Sequence, residues 1–521
     1  MRLLPYIGLL LLWPATASAT GFTDHGQDLD GRPENIFAID GYLRLRGALL
    51  NNLDLDRGPT PSGQLLYPVP VDDPTGQLLE RADMRLRTDL AAYWPDGGVA
   101  VKVRIDTLDN MGLGSAPVGI PASSSTQDTT GDVIRIKRAY GEALTPLGLL
   151  AAGRMGAHWG LGMLANGGDC PDCDSGDSSD RIAFITTLAG HIWAFAYDFT
   201  SQGPFVPDRT GTRVIDIAPS ASVHSLTFAV LNWRDDLARK RRRLADKVTA
   251  EYGGTFSYRW QNKDVPASYL QTAQPVNIDP EQVMVRGYSA TATDLWLRLS
   301  GPGFLIEAEG AWLHASVDQP SLVPGALLSG PVVGNQFGVA LESRFGNPED
   351  IVNGGLNAGF ASGDQAPGFG AFPAPNAAAP RAGDLDGPQA NPPYDMAVNN
   401  FRFNPDYHID RILFREIIGT VTDAFYLRPH VLFRLFQHER GQLEARLAAV
   451  ASFAVYPEST PGGSRPLGIE IDPTIAYDTN FGFSAALEQG TLIPLAGLDN
   501  PDLGLNATVA QSWQLRLMYS F

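Results

Sequence analysis

Stretches in which apolar and polar residues alternate recur along this chain, and the connections between them alternate between short and long. IDGYLRLRGALL (39–50), RADMRLRTDLAAYW (81–94), VAVKVRIDTL (99–108) and VIRIKRAYGEAL (133–144) show the pattern. Period two puts successive side chains on opposite faces of a β-strand. PDGG, TPLG, SGPG, GNPED, HERG and TNFG are short turns, whereas the links after residues 50, 108 and 160 are long. Eight short and nine longer connections predict eighteen strands, with sixteen as the alternative. HIDRILFREIIG (408–419) belongs to the long seventh loop, 363–424, because a strand there would break the parity. An even strand number with turns short on one side and long on the other is the pattern of a transmembrane barrel. A β-sandwich has no cause to sort its connections by length, and a β-helix would show a short repeat, which the chain lacks.

The fold class expected is therefore all-β: a single antiparallel up-and-down barrel over residues 39–521. Residues 1–19 read as a signal peptide, with Arg2, an apolar run to Leu12 and Ala17-Ser18-Ala19 before the cleavage point. Residues 20–38 then form an N-terminal periplasmic segment. No later stretch reaches 18 uninterrupted apolar residues, which excludes helical spans. Glycine (55) and proline (39) concentrate between the alternating runs, as turns require. The net charge of −18 argues against nucleic acid as a partner. Two cysteines in an exported chain of this length exclude a disulfide scaffold.

In SWQLRLMYSF, Trp513, Leu515, Leu517, Tyr519 and Phe521 share one parity. This tail resembles the C-terminal signature of Gram-negative outer-membrane porin-like β-barrels. The resemblance implies an outer-membrane location, contact with its lipid, and recognition of the last strand by the barrel insertion machinery. GLNAGFASGDQAPG (355–368) resembles the segment before a long loop in alginate-export-like porins. GRMGAHWGLGMLANGGD (153–169) and FRFNPDYHIDRILFREIIGTVTDAFYLRP (401–429) resemble an uncharacterised myxobacterial outer-membrane family. These resemblances carry no substrate and leave the oligomeric state open.

Parity then assigns the lumen. Arg44 and Arg46, Arg81, Arg85 and Arg87, Lys102 and Arg104, Arg135 and Lys137, and Arg154 follow one another on the first five strands. Arg428 and Arg434 join them later, opposed by Glu307, Glu309 and Glu470. The plain reading is a polar wall braced by Arg–Asp pairs such as those with Asp83, Asp89 and Asp106. The sharper reading is a basic ladder that guides anions. An eighteen-stranded wall leaves an aqueous channel, and loop 363–424 could either enter it or cap the outer mouth. The expected function is passive diffusion of small hydrophilic solutes, anions among them.

Other chemistry competes with this reading. Asp169, Asp172, Asp174, Asp177 and Asp180 gather hard oxygens on one loop, a pattern that suits Ca²⁺, although a solvated acidic loop explains it as well. Cys170 and Cys173 suit a local disulfide; a single C-x-x-C has too few ligands for zinc. No G-x-S-x-G or H-E-x-x-H element occurs, so the chain is read as a non-enzyme. An outer-membrane hydrolase and a closed structural barrel stand as the alternatives. The charged run RDDLARKRRRLADK (234–247) reads as a solvated helical turn.

Overall fold

A computed structural model describes residues 21–29, 35–73, 77–114, 133–266, 279–323, 326–328, 330–347, 349–374 and 377–521. The signal-peptide reading lies outside the described residues. The first wall comprises β1 (Phe37–Asn51), β2 (Leu78–Tyr93), β3 (Val99–Gly112), β4 (Ile134–Thr145) and β5 (Gly148–Gly156). The chain continues through β6 (Ser178–Leu188) and β7 (His191–Ser201), then a loop hairpin of β8 (Phe205–Pro207) and β9 (Val214–Asp216). Next come β10 (Val223–Asn232), β11 (Thr249–Asp264), β12 (Met284–Gly301), β13 (Phe304–Val317) and β14 (Val332–Phe345). The last wall is β15 (Val352–Ala361), β16 (Ala424–His438), β17 (Gly441–Ala454), β18 (Pro466–Thr479), β19 (Phe483–Pro494) and β20 (Ala510–Ser520).

Every barrel strand pairs antiparallel with its neighbours, and β1 pairs with β20, closing an 18-stranded barrel. The expected strand number is therefore the observed one. PDGG turns tightly because Gly97 and Gly98 both take φ near +80°. The charged run between β10 and β11 forms helix α1 (Asp236–Leu244), capped by the Asp235 side chain accepting from the Ala238 N–H.

Period-two alternation sorts the strand side chains into two environments. On β20, Trp513, Leu515 and Tyr519 are exposed on the outer face, while Ser512 and Gln514 are buried. On β1, Arg44 and Arg46 are buried on the inner face. An apolar exterior around a charged interior is what a hydrocarbon surround selects.

The interior is partly occupied. β5 ends at Gly156, short of the expected 160, and residues 157–177 turn inward. Residues 399–423 enter as well: Phe401, Phe403, Ile412, Leu413, Phe414, Ile417 and Val421 are buried against wall residues Ala340, Tyr426 and Val450. Burying each such side chain contributes ~1.5–3 kcal/mol, so the segment gains by entering rather than standing above the mouth. Gly338 makes room for it, since a Cβ there would collide with the Phe401 ring. Residues 21–29 dock near the short-turn end, where His25 Nδ1 meets Glu142 at 2.6 Å and Lys102 meets Asp28 at 3.1 Å.

Candidate functional site in the barrel lumen

Arg44, Arg46, Arg85, Arg87 and Arg104 do project inward, but they meet the inward segment 157–177 instead of open water. Arg44 Nη1 donates to Cys173 O at 2.9 Å and Pro171 O at 3.2 Å. Arg85 donates to the same Cys173 carbonyl at 2.9 Å and to Asp109 at 2.8 Å. Arg87 forks onto both oxygens of Asp106 at 2.7 Å and reaches Gly168 O at 2.6 Å. Arg46 bonds Asp83 at 3.0 Å, Asp172 at 3.2 Å and Asp174 at 2.6 Å. Arg104 joins Asp89 at 2.6 Å and also pairs with Asp169. Cys170 and Cys173 are disulfide-linked, with Cα atoms 5.1 Å apart, and close the turn that presents these carbonyls.

The remaining basic residues fall into several classes. Lys102 bridges Asp28 and Glu142 at 3.1 and 3.2 Å. Arg81 bonds Glu416 at 2.7 Å and keeps 38 % of its side chain exposed. Arg135 is exposed near Asp109, at 3.4 Å. A register shift in the β3–β4 pairing makes Lys137 an extra residue: Arg104 faces Arg138 and Ile105 faces Ile136. The bulge turns Arg138 inward, where it bonds Asp169 at 2.9 Å. Strict alternation misses that residue. Arg154 corrects the sequence reading in the other direction. It shares the parity of exposed Leu150, opposite the buried Leu149, Ala151 and Met155, and pairs on the outer face with Asp180 at 2.7 Å. Arg434 lies 3.8 Å from Glu444, and Arg428 Nε has no hydrogen-bond partner among the described residues.

The five aspartates read as a cation loop do not converge. Asp169 serves Arg104 and Arg138, Asp180 serves Arg154, and Asp177 accepts from the Asn166 N–H at 3.1 Å and from Asn404 at 2.7 Å. Asp172 receives Arg415 at 2.5 Å, Arg411 at 3.2 Å, Arg46 at 3.2 Å and Gln514 at 3.2 Å. Burial alone would raise its carboxyl, but Arg415, Arg516 and Arg411 outweigh burial and hold it well below the usual range. Among the described residues, the group of ligand-type side chains that does converge is Asp174, Asp406 and His408.

Buried carboxylates also hold the irregular backbone. Asp406 accepts from the N–H groups of Asp174 at 2.6 Å and Gly176 at 2.7 Å, and from Ser175 Oγ at 2.9 Å. Glu470, on the inner face of β18, accepts from the N–H groups of Arg411, Ile412 and Leu413 at 2.7, 2.8 and 3.1 Å. Glu309 does the same for Leu161, Met163 and Leu164 from β13. Such N–H groups have no ladder partner, and leaving them dry would cost ~1–3 kcal/mol each. Arg411 and Arg415 from the long loop, Asp406 and Glu488 join Arg138 among the residues that sequence reading did not single out. Their signal was lumen parity for Glu488 and alternating charge in HIDRILFREI.

Between the wall and the two inward segments lies a cavity of about 350 Å³. Arg46, Arg81, Asp83, Asp174, Arg415 and Glu416 line it. His408 also borders it; burial and then the Arg415 charge push its imidazole down to about 4, so it is neutral at pH 7. Opposite charges thus face one space on the long-loop side of the barrel.

No family model and no curated protein matches the sequence. Among solved structures, Pseudomonas aeruginosa OccK11 (OpdR) has 11 % identity over 94 % of this chain and 97 % of that chain, with a TM-score of 0.47. The Pseudomonas aeruginosa outer membrane protein OpdK has 9 % identity over 93 % and 98 %, with a TM-score of 0.45. A BenF-like porin from Pseudomonas fluorescens Pf-5 has 9 % identity over 93 % and 98 %, with a TM-score of 0.44. Likeness at this level stops at the barrel architecture.

Proposed function

We propose that this chain is an outer-membrane channel of a Gram-negative bacterium that passes small hydrophilic solutes by diffusion through a lumen narrowed by two inward segments. One observation carries the reading: a charged cavity on the long-loop side, bounded by the barrel wall and by loops fastened to it through ion pairs. A wall carrying charge in water-accessible space and lipid-compatible residues outside is the division a channel needs. A preference for anions would rest on fewer groups than the sequence suggested, because Arg44, Arg46, Arg85 and Arg87 are already matched by acceptors. Arg428, whose Nε makes no hydrogen bond among the described residues and which has no ion pair within 4 Å there, is one residue left to carry it.

Planar-bilayer recording of the purified protein tests both levels. Stepwise conductance is expected, with a chloride preference reduced by Arg428→Gln and unchanged by Arg87→Gln. A protein that gives no conductance steps and hydrolyses lipid esters would replace the channel reading with the hydrolase.

A further inference from the structure

Two buried side chains of opposite charge on the cavity wall each have an atom that makes no hydrogen bond among the described residues. Arg415 is 6 % exposed and commits Nη1 to Asp172 at 2.5 Å, but its Nη2 makes no hydrogen bond among the described residues and stands 3.9 Å from Asp174. Asp83 is 7 % exposed and commits Oδ2 to Arg46 at 3.0 Å, whereas Oδ1 makes no hydrogen bond and stands 3.7 Å from Arg44. Both residues line the same cavity. Beside them, Arg81 and Asp174 present the more open charges, with 38 % and 44 % of their side chains exposed.

We infer that this cavity is a binding site for small zwitterionic solutes, their carboxylate held by Arg415 and Arg81 and their ammonium by Asp83 and Asp174. The inference rests on the channel reading for how the solute arrives. A buried donor or acceptor without a partner carries a desolvation penalty that a ligand removes by bonding to it. A simple anion satisfies Arg415 but sits among the carboxylates of Asp83, Asp174, Asp406 and Glu416. A simple cation satisfies Asp83 but sits among the guanidiniums of Arg46, Arg81 and Arg415. A molecule carrying both charges completes both atoms and meets no uncompensated like charge. Neutral His408 adds no charge to either side. The volume is at the lower end of ligand pockets, ~300–1,000 Å³, which suits a compact amino-carboxylate.

Three probes on one carbon skeleton test it: 4-aminobutyrate, butyrate and butylammonium. Calorimetry on the detergent-solubilised full chain reads binding, and block of ion current in bilayers reads the site in place. We expect 4-aminobutyrate to bind roughly tenfold or more tighter than either singly charged probe, the worth of one charge-assisted hydrogen bond. Arg415→Gln and Asp83→Asn should each erase roughly that margin, and Arg81→Gln, at a more exposed position, serves where the buried variants fail to fold. Butyrate binding as tightly as 4-aminobutyrate to the unaltered protein would overturn the inference, as would margins untouched in every folded variant. Selective binding in a protein that never conducts would sink the channel reading and leave the site.

Discussion

Replacing Asp172 by Asn should loosen the inward turn from the barrel wall without disturbing the barrel. The carboxylate sits among three guanidiniums, at 2.5 Å from Arg415 and 3.2 Å from both Arg411 and Arg46. Breaking a buried ion pair by removing one charge costs ~3–5 kcal/mol, because the partner stays buried and uncompensated. Asn keeps one acceptor oxygen, so the low end, ~3 kcal/mol, applies. At 1.36 kcal/mol per decade, the undocked population should rise roughly a hundredfold. Hydrogen exchange reads this directly at the amides of Asp174 and Gly176, which Asp406 holds when the turn is docked. Strand amides of β1 and β2 serve as the internal control. The sign with pH also follows: a carboxyl depressed in the docked state contributes stability above its ordinary value near 3.8, lost only as pH falls through the depressed value. The unaltered protein should therefore show no loosening from this group between pH 7 and pH 5, whereas the variant is loose throughout. Unchanged exchange at Asp174 and Gly176 in Asp172→Asn would refute the view that ion pairs fasten this turn.

His408 predicts a different pH window. Its imidazole is held neutral down to about 4, against an ordinary 6.5, with Arg415, Asp172, Asp174 and Asp406 around it. The undocked form takes up a proton in that interval and the docked form does not, so docking of residues 401–421 should weaken as pH falls from about 6.5 to about 4. Protease sensitivity of the loop, measured across that interval, should become flatter in His408→Gln; an identical slope would remove His408 from the account. On the outer face, Leu515→Arg should destabilise the barrel by up to ~2–4 kcal/mol in lipid-refolding titrations, the range for a cation at mid-bilayer. No cost in lipid would argue that β20 does not face hydrocarbon.

The barrel was legible because its determinants are local. Side-chain parity in RADMRLRTDL and the glycines of PDGG act within a few residues, so strand count and turn placement follow from the sequence. The fate of the lumen charges was not, because it depends on contacts over more than a hundred positions. Arg44 ends on Cys173, and Glu309 ends on the backbone of Leu161 to Leu164. Parity also fails where the ladder slips: the bulge at Lys137 brings Arg138 inward. Arg154 differs for another reason: on β5 it shares the parity of exposed Leu150, so the strand turns it to the outer face.

The acidic net charge and the basic wall now have one explanation. Arginine offers a planar fork that fixes the direction of two acceptors, so a row of arginines specifies the geometry of whatever docks on it more sharply than lysines would. Arg44, Arg85 and Arg87 take backbone carbonyls from the turn at 168–174, and Arg46 takes side chains from the same turn. The wall therefore functions first as a template that fixes the inward turn in one register. That docking converts a strongly basic surface into one where charges of both signs balance, and it leaves the cavity between Arg415 and Asp83 as the place where a solute meets unspent groups. Undocking would leave Arg46, Arg85, Arg87 and Arg104 with only the wall carboxylates of Asp83, Asp109, Asp106 and Asp89. In the channel proposed above, the docked lumen would favour dipolar solutes and an undocked one anions. Selectivity in such a channel belongs to the position of the inward turn as much as to the wall.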